Sequence, residues 1–108
     1  MKVVDMHCDT IYEIYERRKK GQKINFKEND LHINLEKMEK GDYLLQNFAL
    51  YTHLEKEQRP LEYAMRLMDV FYEEMEANAE RIGVVRNWQD IERNRKEGRL
   101  SAMVTIEE

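Results

Sequence analysis

Asp5-Met6-His7-Cys8-Asp9-Thr10 is the stretch in which residue types and spacing could do chemistry. His7 offers an imidazole nitrogen and Asp9 a carboxylate, with one residue between them. In an extended strand alternate side chains share a face, so the two donors would stand about 7 Å apart along one side. A nitrogen and an oxygen donor placed this way suit a divalent metal such as zinc. Cys8 would point to the opposite face, where packing is expected rather than ligation. H-x-D triplets also arise by chance. The competing reading is that Asp9 or Thr10 caps the helix that follows, and that His7 is a surface histidine. The second candidate is Glu107, an acid directly after the apolar run Leu100 to Ile106, with Glu108 competing for the same role. Its plain alternative is a strand that ends and gives way to polar residues.

These residues need elements to position them. Residues 3–9 read as a strand, and Thr10 can start a helix with Ile11, Ile14 and Tyr15 on its inner face. Cations in the last turn and Gly21 beyond it would stop that helix. Residues 22–33 are polar and irregular, and Leu35 to Gly41 reads as a brief helix. The run 43–52 is nearly all apolar, which suits a strand covered on both faces in a parallel sheet. Gln46 breaks that run, and a buried amide needs partners. It is expected either in a hydrogen-bonded core position or near a site. Pro60 fits the first turn of a long helix over residues 60–80. Leu61, Ala64, Met65, Met68, Phe71, Tyr72, Met75 and Ala79 recur at helical spacing and are expected to form its core face. Residues 82–85 are short and extended, Asn87 can cap a further helix in a box with Asp90, and residues 100–106 form the last expected strand. Strands alternating with helices imply a parallel α/β sheet. Three strands do not close a barrel. A (β/α)8 barrel needs about 250 residues, so 108 residues would supply its first third, a single segment ending after about three strands. In such barrels the C-terminal ends of the strands carry the active site, which is where both candidates fall.

Composition narrows the function classes. The net charge is −4 with the signs interleaved, which argues against nucleic acid as a partner and against a polybasic membrane anchor. Asp5 and His7 interrupt the first apolar residues, so the start does not read as a signal peptide. No run approaches the ~20 apolar residues of a membrane span. The single cysteine rules out an internal disulfide and fits a reducing compartment, so the expected location is the cytoplasm. His32 and His53 lie in polar segments and are expected at the surface.

Taken in order, these motifs resemble a known family. Asp5-x-His7-x-Asp9 is similar to the opening motif of the membrane (renal) dipeptidases, the M19 metallopeptidases. The stretch 32–51, with Gln46 and Phe48, resembles the family's passage from a leucine-rich turn and a glycine into a strand. Residues 101–108 resemble its strand ending in an acid. The resemblance implies a (β/α)8 barrel of the metal-dependent hydrolase type with a binuclear zinc centre. It implies that His7 and Asp9 bind one zinc, that Glu107 (in preference to Glu108) bridges both, and that dipeptides are the substrates, hydrolysed by a metal-activated water. The family's remaining ligands and substrate-binding residues come from later strands, so this chain alone is expected to be inactive. Two rivals remain: another metal-dependent amidohydrolase, although those often open with H-x-H, and a non-catalytic α/β interaction module. Open sheet edges would favour self-association of the isolated chain.

Overall fold

The computed structural model describes residues 2–51 and 59–107, apart from the side chains of residues 51 and 107. His53, Thr52 and Glu108 lie outside the described residues. The element order is β1 (Val3–Asp5), α1 (Thr10–Lys19), α2 (Leu35–Lys40), β2 (Tyr43–Tyr51), α3 (Pro60–Ala77), β3 (Ile82–Val84), α4 (Trp88–Lys96) and β4 (Leu100–Glu107). The four strands form one sheet in the order β1-β2-β4-β3, and every pairing is parallel. The expectation of a parallel α/β sheet holds.

Four strands replace the three expected, because residues 82–84 pair with residues 100–102 of β4. Their brevity hid them: three residues carry no readable period. The centre of the sheet is β2 against β4, in register from Leu45 opposite Ser101 to Tyr51 opposite Glu107. This brings the end of the last strand level with the end of the second.

Successive β2 side chains face opposite sides. Phe48 and Leu50 point into the main core under α1 and α3, with Ile11, Ile14, Phe26, Leu67 and Phe71. Phe48 meets Phe26 edge-on at a centroid distance of 5.4 Å and Phe71 at 5.5 Å. Such aromatic pairs add about 0.5–1.5 kcal/mol each beyond their burial. Leu45, of opposite parity, packs with Val85 and Ile91 in a second, smaller cluster.

The long helix is rotated from its expected orientation, and it ends at Ala77 rather than near residue 80. Its buried face is Tyr63, Ala64, Leu67, Val70, Phe71, Glu74 and Met75. Leu61, Met65 and Tyr72 are exposed. Both faces carry apolar residues at helical spacing, so period alone could not choose between them. The buried face also takes in Glu74, which a purely apolar reading leaves out. Its Oε1 accepts from Arg18 Nη2 at 2.6 Å and from Phe26 N at 3.2 Å. That carboxylate joins α1, the 22–33 segment and α3.

The remaining stops and starts follow the sequence. Gly21 and Gly98 take left-handed backbone just past helix ends, where a side chain would be strained. Asn34 Oδ1 accepts from Lys37 N and caps α2. Asn87 Oδ1 accepts from Asp90 N at 2.9 Å. The returning Asp90 carboxylate accepts from Arg86 N rather than from the cap residue, a one-residue variant of the expected box.

Candidate metal centre

The first strand is shorter than expected. It ends at Asp5, and residues 6–9 leave the sheet before α1 begins. Strand alternation therefore does not place His7 and Asp9. The turn into α1 brings them closer than a strand would: His7 Nε2 stands 3.2 Å from Asp9 Oδ1. Asp9, not Thr10, occupies the cap position of α1, and its side chain makes no capping hydrogen bond. The capping reading of this aspartate fails on that point, because the carboxylate turns to the imidazole instead.

Local bonds hold the turn in place. His7 N donates to Asp5 Oδ1 at 3.2 Å, and Ala49 N donates to Cys8 O at 2.9 Å. Asp9 O accepts from Glu13 N as α1 starts. Cys8 is buried in the main core, as expected. Burial pushes its thiol up to about 11, so it stays protonated near neutral pH and is a poor ligand or nucleophile.

A cleft of about 810 Å³ opens beside the pair. Asp5, Glu13, Asp30 and His32 line it with His7 and Asp9. Two cations also reach its wall, and both have partners. Arg17 Nη1 donates to Asp30 Oδ1, and Lys37 Nζ donates to Leu31 O. His32, expected to be a bystander, is exposed as foreseen but lies on the wall of the same cleft. Nothing in its polar surroundings in the sequence signals that.

Two ligand atoms about 2.0–2.2 Å from a tetrahedral zinc stand roughly 3.3–3.5 Å from each other. The 3.2 Å between Nε2 and Oδ1 approaches that separation, and both side chains are about half exposed. Two adjacent corners of a metal site fit. Among the described residues no group of three or more His, Cys, Asp or Glu is gathered tightly enough to hold an ion, so the pair is a partial set. The backbone of residue 107 lies at the end of β4, opposite Tyr51.

Two amides lie behind the site. Gln46 is fully buried and its Nε2 donates to Asn47 O. By strand parity it belongs to the helix-covered face with Phe48 and Leu50. It is therefore a core residue, the first of the two alternatives open from the sequence. Asn47, overlooked in the sequence, faces the other way. Its Nδ2 donates to Met6 O at 2.8 Å and to Thr105 Oγ1 at 3.2 Å.

The sequence profile of the membrane dipeptidases (peptidase family M19) matches residues 1–108. The chain belongs to that family. No curated protein matches it. Among solved structures it is similar to the dipeptidase AC, a metallopeptidase of family M19, with a TM-score of 0.82 at 17% identity over 98% of this chain and 35% of that one. A metallopeptidase from Rhodobacter sphaeroides, solved with a phosphinate mimic of the dipeptide L-Ala-D-Ala, gives 0.78 at 15% identity over 98% and 38%. At such identities the likeness establishes the fold: this M19 chain has the α/β architecture of the opening portion of those enzymes. It spans somewhat over a third of their length. A metal cofactor follows from membership of a metallopeptidase family. No helix among the described residues is long and apolar enough to cross a membrane.

Proposed function

We propose that this chain carries the first metal-binding elements of a zinc dipeptidase, and that it is inactive on its own. The observation that carries the reading is the His7–Asp9 pair, 3.2 Å apart at the C-terminal edge of a parallel sheet in an M19 chain. His7 and Asp9 would hold one ion. Glu107, whose backbone ends β4 opposite Tyr51 of β2, would supply the bridging carboxylate, in preference to Glu108. Bound there, zinc supplies Lewis acidity toward a peptide carbonyl and toward water.

The chain's own contribution is to hold donors. Asp5 Oδ1 accepts from the backbone of His7, and the start of α1 fixes Asp9. Around them the cleft has four carboxylates, from Asp5, Asp9, Glu13 and Asp30, while its two cations are engaged. Its field therefore favours a cationic occupant. The substrate would be a dipeptide, as in the structural relative bound to a dipeptide mimic. Inactivity is supported by the span, 35–38% of the related enzymes, and by a partial ligand set. The buried thiol of Cys8 supports a cytoplasmic, reducing location.

Calorimetric titration with zinc tests this. Weak binding by the chain, lost in His7→Ala and in Asp9→Ala, is the expected result. Equal affinity in chain and variants would remove the metal assignment and leave the non-catalytic interaction module as the better reading.

A further inference from the structure

We propose that Asn47 is a positioning residue for the metal centre, tying the backbone that carries His7 to the strand that carries Glu107. The inference rests on the metal reading above and deepens it. The Asn47 amide sits on the central strand and makes two bonds in opposite directions. One goes to the carbonyl of Met6, the residue before His7, at 2.8 Å. The other goes to the hydroxyl of Thr105, two positions before Glu107 on β4, at 3.2 Å.

The orientation of the amide is fixed by chemistry. A backbone carbonyl can only accept, so the nitrogen end of Asn47 must face Met6. Both bonds then use Nδ2 hydrogens, and the Thr105 oxygen acts as acceptor.

The turn needs such a tie because β1 stops at Asp5. Past that point the ladder no longer holds the chain that carries the ligands. Two tethers to β2 replace it and flank His7: Asn47 Nδ2 to Met6 O on one side, Ala49 N to Cys8 O on the other. Any residue but proline at position 49 could supply the second. Only a side chain with a donor at position 47 can supply the first. An apolar residue would suit the run Leu44 to Leu50 better, since Asn47 is only 5% exposed and its Oδ1 has no hydrogen-bond partner among the described residues. Gln46 Oε1 beside it is likewise buried without a partner, so the orphan acceptor is a stability cost common to both amides, and what distinguishes Asn47 is its pair of bonds to Met6 and Thr105. Hydrogen bonds made directly to metal ligands are worth about 10–100-fold in metal affinity, and a tie through the backbone beside His7 acts at the lower end of that range.

The test is a titration of the full 108-residue chain with zinc by calorimetry and with cobalt(II) by visible absorption, beside metal-free thermal melts. Asn47→Ala is expected to weaken binding about tenfold and to change the cobalt spectrum. Thr105→Val alters an exposed residue, so its metal-free melt should match wild type while its affinity falls several-fold. The double variant should bind no more weakly than Asn47→Ala, because both changes break one link. His7→Ala should abolish binding. Wild-type affinity and spectrum in Thr105→Val and Asn47→Ala, with binding still lost in His7→Ala, would overturn the positioning role and leave the metal pair standing. Undiminished binding in His7→Ala would remove the metal reading and this inference with it.

Discussion

Replacing Glu74 by alanine should destabilise the chain by about 3–4 kcal/mol, although the residue lies on a helix read as apolar. Its carboxylate is almost fully buried, with 5% of the side chain exposed. It accepts a charge-assisted bond from Arg18 Nη2 at 2.6 Å, and Phe26 N donates to the same oxygen at 3.2 Å. A hydrogen bond to a charged group contributes about 1.5–3 kcal/mol, and a buried N–H left without an acceptor costs about 1–3 kcal/mol. Arg18 keeps 31% of its side chain in solvent, which reduces the first contribution and places the total toward the lower part of the combined range. A loss of that size is a large fraction of the ~5–15 kcal/mol that holds a domain together. Glu74→Gln keeps an acceptor for Phe26 N and loses only the charge, so it should cost about 1 kcal/mol. Urea denaturation reads both: the midpoint should fall steeply for alanine and slightly for glutamine, at unchanged slope. If alanine came within 1 kcal/mol of wild type, the three-way junction would not be stabilising. If glutamine cost as much as alanine, the Phe26 bond would contribute nothing.

Two further outcomes are expected. Val3 and Val4 of the edge strand β1 are exposed, Val4 by 51%, as is Met6 just beyond it, and an uncovered apolar edge invites pairing with another chain. Light scattering should therefore show self-association that Val4→Lys reduces, whereas a clean wild-type monomer would contradict it. Acid should weaken the contact between α2 and the start of β3. The hydrogen bonds from Arg81 to Glu39 hold that carboxyl below its ordinary value. A depressed folded value stabilises above the unfolded value near 4.5, and that stabilisation is lost as pH falls through the folded value. The wild-type advantage over Arg81→Met should then shrink below about pH 4.5, and a difference constant from pH 7 to pH 3 would refute the linkage.

The sequence made the sheet legible through Tyr43–Tyr51 and Leu100–Glu107, because a largely buried strand reads as a mostly apolar run. Helix α1 was legible through Ile11 and Ile14, both fully buried, and through its cationic end. What escaped were features decided by tertiary contacts. Ile82–Val84 is a strand only because residues 100–102 are beside it. The face of α3 that turns inward is settled by Glu74 meeting Arg18 and Phe26 from other elements, and neither partner is near it in sequence.

The same distinction applies to the candidate site. The residue types at positions 7 and 9 point to a metal, and strand alternation would place both on one face. The strand ends at Asp5, four residues short of Asp9. Had β1 continued, the two backbones would have stood about 7 Å apart on one face, and the side chains would have had to lean together to share one ion. The exit from the strand and the cap position of α1 fold Asp9 back to within 3.2 Å of His7. A turn that leaves the ladder gives up its regular hydrogen bonds, so the same geometry that brings the donors together requires tethers from elsewhere. Asn47 and the backbone of Ala49 supply them from the neighbouring strand. On this reading the second amide of the Gln46-Asn47 pair, rather than the first, bears on the site, because it alone reaches Met6 and Thr105.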